Sequence, residues 1–228
     1  MADVVKRSLK VCTDVIVVDD GSTDNTAQTL SGLNISVLAH DTNQGKGQAL
    51  KTGLSFARNN GFTHAITLDA DGQHFPEDVP VLVEASEMVP EAIIVGCRNL
   101  TSENMPRKNT FANRFSNFWF RLQTAQRLDD TQSGFRIYPL GSLRGMRLIT
   151  SRYEAELELL VYAAWNGTEV RGVPVRVLYQ PDGERVSHFR PFLDFFRITV
   201  LNTLLCFGAL FFGLPMALFR IIAGKTHD

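Results

Sequence analysis

Short apolar, β-branched runs alternate with amphipathic stretches along the first two thirds of this chain. Residues 14–18 (Asp-Val-Ile-Val-Val) have the pattern of a buried strand and end at Asp19-Asp20-Gly21-Ser22. Ser22, Thr23 and Asp24 are good N-caps, so a helix is predicted from there to about residue 30. A second strand is expected over 35–39. The turn Asn43-Gln44-Gly45-Lys46-Gly47 then leads into a helix over 48–60. Residues 65–68 read as a third strand, stopped by Asp69-Ala70-Asp71-Gly72. Pro76 opens a helix over 77–89, and 92–96 read as a fourth strand. Strands separated by helices predict βαβ units and an α/β domain with a mostly parallel sheet.

The tail has a different pattern. Residues 198–219 carry no charge, and at about 1.5 Å per residue they reach about 33 Å, comparable with a hydrocarbon core of roughly 30 Å. Thr199, Asn202 and Thr203 dilute this stretch, and Pro215 and two glycines interrupt it. Spanning, interfacial and dimer-forming helices all fit the pattern. The flanking Arg190, Arg197, Arg220 and Lys225 suit anchoring to anionic lipid. The expected division is a catalytic domain over 1–190 and an apolar, membrane-associating helical segment over 191–228.

Composition narrows the class. The chain has 228 residues, is 44% hydrophobic and 21% charged, and has a net charge of −1, which excludes a disordered chain. Its 23 basic and 24 acidic residues argue against a generic nucleic-acid binder. Cys12, Cys97 and Cys206 are widely spaced with no CxxC pair, as in a reducing compartment, and the charged first residues do not read as a secretory signal.

Ligands of open α/β sheets bind at the carboxyl ends of the strands, and two acidic pairs are expected there: Asp19-Asp20 and Asp69-x-Asp71. Carboxylates so placed suit a hard divalent cation that takes its other ligands from phosphate oxygens. A solvated acidic turn is the plain alternative. Gly45-Lys46-Gly47 does not meet the Walker pattern. It reads equally as a phosphate-favouring helix start and as a glycine turn with a solvated lysine. His188, set between Arg185 and Arg190, suits phosphate better than metal.

Taken together, the motifs from Val15 to Asp24, Asn43-x-Gly45-Lys46-Gly47-x-Ala49 and Leu68-Asp69-Ala70-Asp71-Gly72-Gln73-His74 resemble those of family 2 glycosyltransferases of GT-A fold. Asp130-Thr131-Gln132-Ser133-Gly134-Phe135-Arg136-Ile137-Tyr138 narrows the likeness, as do Glu154-x-Glu156 and Val173-Pro174-Val175. They are similar to the dolichyl-phosphate mannosyltransferase branch, whose bacterial members glycosylate polyprenyl phosphates. The likeness runs from about residue 2 to 204.

The resemblance implies a role for each matching position. Asp69, Asp71 and Gln73 would hold Mg²⁺ or Mn²⁺ against the diphosphate of a GDP- or UDP-linked sugar. Asp19 and Asp20 would lie beside the nucleoside, with Ala70 at the ribose. Arg98 and Arg136 would meet phosphate, for which a planar guanidinium is suited. Glu154 and Glu156 are equally read as structural.

The implied reaction moves a mannose- or glucose-class hexose onto a polyprenyl phosphate at the cytoplasmic membrane face, with inversion at the anomeric carbon. A phosphate acceptor is already anionic and needs positive charge rather than a base. Arg136, Arg185, His188 and Arg190 are the expected source. Asp130 is the candidate base if the acceptor is instead a hydroxyl.

Two features depart from the family pattern. Members open with a strand bearing a Pro-x-Tyr/Asn-Asn/Glu stretch inside the sheet, whereas residues 2–12 here read as the helix after it. The expected consequence is unpaired ladder groups on the neighbouring strands. Ser187-His188 also stands where the lipid-phosphate branch often has Ser-Lys. A truncated, non-catalytic binding module is therefore the competing class, and a nucleotidyltransferase is disfavoured by the lack of a Gly-rich opening.

Overall fold

The structure is a computed structural model describing residues 1–98, 107–178, 191–216 and 218–219, with backbone alone over 107–111 and 191–196. The elements follow the expected alternation. They are α1 (Ala2–Ser8), β1 (Ile16–Asp19), α2 (Thr26–Leu30), β2 (Ser36–Ala39), α3 (Lys46–Asn59), β3 (His64–Thr67), α4 (Val79–Met88) and β4 (Ile93–Arg98). After them come α5 (Arg107–Thr124), β5 (Arg136–Pro139), α6 (Glu154–Trp165), β6 (Val170–Val175) and α7 (Pro191–Gly208). Pro76–Asp78 forms a 3₁₀ turn before α4, and Ala209–Gly213 continues α7 as a π-helical turn.

The strands form two sheets. β1 and β2 pair in parallel, and β3-β5-β4-β6 form the larger sheet, in which β4 and β6 are parallel. β5 lies between β3 and β4 and runs against both. Arg136 at its start pairs with Thr67 and Val95, so this reversal brings the 130–135 loop to the carboxyl end of β3. Among the described strands β1 pairs only with β2, and β3 only with β5; α3 packs on both β1 and β3 and links the two sheets.

Strand periodicity divides the core in two. Ile93, Val95 and Cys97 of β4 join Phe120, Tyr138, Leu159, Leu160, Leu201 and Leu205 on the α5–α6–α7 side. Ile94 turns the other way, joining Val79, Leu82, Phe135 and Ile137 on the α4 side. Strands covered on both faces explain why these runs are continuously apolar. Leu201 and Leu205 of α7, beyond the expected division at residue 190, join the main core, because α7 packs on α5 and α6.

Candidate active site

The loop after β1 is shaped by its two aspartates. Asp19 Oδ1 accepts a hydrogen bond from the Ser22 amide at 2.9 Å. Gly21 follows at φ +74°, and a Cβ on it would stand 2.6 Å from the Asn43 amide nitrogen, so only glycine lets the two loops close. Asp20 fastens that second loop: it accepts from the Gln44 amide at 2.9 Å and the Gly45 amide at 2.7 Å, and lies 2.7 Å from His40 Nδ1. Burial pushes the Asp20 carboxyl up, but the His40 contact and the two amides outweigh it and hold it below the usual carboxylate range. Asp20 therefore builds the Gly45 turn.

Lys46, the first residue of α3, is neither solvated nor a phosphate-loop lysine. Its Nζ lies 2.8 Å from Asp69 Oδ1 and 3.1 Å from Glu156 Oε2, and 5.9 Å from the Tyr153 ring centre. Burial alone would depress the ammonium, but Glu156 and Asp69 outweigh it and raise it above its ordinary value. Asp69 is held below its ordinary range because Lys46 outweighs the upward push of burial. Behind Asp69 lies Gly134, where a Cβ would come within 2.6 Å of Asp69 Oδ2.

Asp71, two residues on, is exposed and gives Oδ1 to the Gln73 amide at 2.9 Å. The Gln73 carbonyl accepts from the Leu178 amide at 2.8 Å, and Ala70 is half-buried in the same turn. His74 is buried with its ring 5.5 Å from Phe135, and its Nδ1 has no partner. Burial lowers the His74 pKa and favours the neutral ring.

The structure places Asp130, Arg98 and Arg136 among internal partners. Asp130 is fully buried; its oxygens accept from Arg98 Nε at 2.6 Å, Arg98 Nη2 at 2.8 Å, the Arg98 and Gln132 amides, and Asn113 Nδ2. Burial pushes its carboxyl up, but Arg98 outweighs this and holds it ionised. Such a bidentate pair engages the two side chains with each other. Arg136 is also fully buried, on the α6 side of the sheet. It donates to the carbonyls of Thr131, Ser133 and Glu156 and to Tyr138 Oη. It is a strut between β5 and α6. Arg185, His188 and Arg190 lie outside the described residues.

Asp19 thus ends β1, Asp69 and Asp71 follow β3 with Gly134 against Asp69, and Lys46 reaches Asp69 from the start of α3. Residues 5–144 match the family described as Glycosyl transferase family 2. The chain belongs to that family. Its glycosyltransferase relatives include a UDP-N-acetylglucosamine–dolichyl-phosphate N-acetylglucosaminyltransferase of Methanococcus voltae, 31% identical over 188 residues, covering 73% of this chain and 75% of the relative. An undecaprenyl-phosphate mannosyltransferase of Micrococcus luteus is 28% identical over 182 residues, covering 75% and 74%. Among solved structures, glucosyl-3-phosphoglycerate synthase of Mycobacterium tuberculosis with phosphoglyceric acid superposes with a TM-score of 0.62 at 18% identity, over 90% of this chain and 75% of that one. Its complex with Mn²⁺, UDP-glucose and phosphoglyceric acid gives 0.57, also at 18% identity, over 85% and 67%. These structures establish the GT-A fold.

The donor set of this glycosyltransferase fits a divalent cation only in part. Among the described residues no group of three or more His, Cys, Asp or Glu could hold a metal. Asp69 is paired with Lys46. Asp71 does fit: an exposed carboxylate in a turn suits a hard cation that takes most of its oxygens from a diphosphate.

The motif left Glu154 and Glu156 open and did not single out Glu158. Glu156 pairs with Lys46; Glu158 is fully buried and accepts from the Ile149 and Thr150 amides at 2.7 and 2.9 Å. Glutamates at every second position of an otherwise apolar helix, 154, 156 and 158, were the available signal.

Proposed function

We propose that this glycosyltransferase moves a hexose from a GDP- or UDP-linked sugar to a polyprenyl phosphate at the cytoplasmic membrane face, inverting the anomeric carbon. The observation that carries this reading is the fate of the carboxylates. Asp20, Asp69 and Asp130 each face an internal partner, so the base that a hydroxyl acceptor would require is not offered by Asp130. A phosphate monoester needs none. The names of the relatives from Methanococcus voltae and Micrococcus luteus support the same acceptor class.

In this mechanism Asp19 lies beside the nucleoside, and Asp71, with Gln73 next to it, meets the diphosphate end of the donor. A Mg²⁺ or Mn²⁺ ion bound through Asp71 would offset charge on the departing diphosphate. An acceptor phosphate oxygen forms the new bond to the anomeric carbon as the bond to the nucleoside diphosphate breaks. Arg185, His188 and Arg190 are proposed to draw the acceptor in, and the apolar C-terminal helix to keep the enzyme at the membrane. Arg197–Met216 is long and apolar enough to cross a bilayer by length and composition.

The test incubates the full chain in detergent with GDP-mannose, UDP-glucose or UDP-N-acetylglucosamine and either polyprenyl phosphate or the free polyprenol, with and without Mn²⁺. Mass spectrometry should find a glycosyl phosphoryl lipid from one donor only, of inverted configuration by NMR. Transfer to the free alcohol, or no transfer from any donor, would overturn the reading.

A further inference from the structure

Helix α5 packs Phe120 into the core, yet much of the rest of its buried side is polar. Its buried residues include Asn113, Ser116, Gln123 and Thr124, whereas Phe115, Phe118 and Leu122 on its outer side are 41%, 59% and 52% exposed. In a water-soluble domain that partition would run the other way. The exposed apolar residues lie at i, i+3 and i+7 and so share one face, and Arg114 and Arg121 beside them are exposed as well. No acidic residue occurs between Arg107 and Thr124.

Helix α7 has the same character and lies against α5. Gln123 Nε2 donates to Asn202 Oδ1 at 3.1 Å, so the two helices meet through buried amides. Leu204, Phe207 and Phe211 of α7 and its continuation are 59%, 60% and 76% exposed. Both helices pack on α6 and on each other.

The attachment of α7 also bears on its orientation. Leu201, Asn202, Leu205, Ala209 and Gly213 are buried in sequence along it, over a length of about 18 Å. Gly208 and Gly213 leave no room for a Cβ beside Trp165, whose Nε1 donates to the Gln123 carbonyl at 2.8 Å. A helix held to the domain over that length cannot cross a bilayer without drawing α5 and α6 in with it.

We infer that α5 and α7 together form a platform that lies in the plane of an anionic lipid surface, with the exposed aromatic and leucine side chains among the acyl chains and Arg114 and Arg121 at the headgroups. Basic residues flanking an aromatic face are what such a surface selects. The inference builds on the membrane contact proposed above and adds a second helix and an orientation.

The test is co-sedimentation of the full chain with phosphatidylcholine vesicles, with and without phosphatidylglycerol, followed by alkaline carbonate extraction. Binding should require phosphatidylglycerol and be reversed by carbonate. Phe118→Ser with Leu122→Ser should weaken it by about tenfold or more. Arg114→Glu with Arg121→Glu should abolish the preference for phosphatidylglycerol. Undiminished binding by both pairs, with native circular dichroism, would overturn the platform. So would resistance to carbonate, which marks a spanning helix, or a dimer-to-monomer change in the first pair with lipid binding intact. Transfer in detergent reports separately on the proposed reaction, so the two can fail independently.

Discussion

The Lys46 ammonium stands 2.8 Å from Asp69 Oδ1 and joins that carboxylate, through Glu156 at 3.1 Å, to the first turn of α6. One cation between two carboxylates ties α3, the end of β3 and α6 at a single point. Removing it leaves like charges facing each other in a half-buried place. Lys46→Met should therefore cost about 2–3 kcal/mol of stability in urea denaturation. Adding Glu156→Gln should restore part of that loss, and an unchanged midpoint in Lys46→Met would show that the cluster contributes nothing.

Asp69 and Asp71 separate cleanly by role. Asp71 is exposed and supports only a turn amide, so Asp71→Asn should leave the melting temperature nearly unchanged while transfer falls by about a hundredfold or more. Asp69→Asn should lower both. Thermal denaturation beside a metal titration of transfer distinguishes the two, and full activity in Asp71→Asn would remove it from the donor site.

Asp130 is the discriminating residue for the acceptor. Because it neutralises a largely buried Arg98, Asp130→Asn should destabilise by about 2–4 kcal/mol. Measured well below its melting temperature, the variant should retain the shape of the wild-type pH–rate profile. Loss of the acidic limb of kcat/KM, with the fold intact, would instead establish a base and a hydroxyl acceptor.

Asp20 sets the acid limit of the Gly45 turn. Its carboxyl is held below the ordinary value in the folded state, so it binds protons more weakly there than in the unfolded chain. The stability it contributes is thus present above the unfolded carboxyl pKa of about 3.9 and lost as pH falls through the lower folded value. Asp20→Asn should destabilise at neutral pH by about 1–3 kcal/mol and flatten the fall in stability below about pH 4. Chemical denaturation across pH 3–7 checks this, and parallel curves for the two proteins would contradict it.

The order of strands and helices as far as β4 was legible because periods of about 2 and 3.6 are local properties of a sequence, and so were the acidic turns after β1 and β3. The motifs also carried the family, since they name residue types at fixed spacing. Partnership was not legible, because it depends on residues far apart in the chain. Arg136 in a Ser-Gly-Phe-Arg string looks like a phosphate ligand, yet strand alternation turns it into the core against α6, where carbonyls surround it. Asp130 looks like a base until β4 brings Arg98 to it from 32 residues away. The apolar tail was evident from composition, but α5 was not: its exposed phenylalanines and buried amides are distinguishable only once α6 and α7 decide which side faces inward. The sequence by itself determined the elements, their order and the chemistry available at the strand ends. Tertiary packing decided which of those charges are already neutralised inside the protein and which remain for a ligand, because a charge is silenced by a partner that only folding brings near.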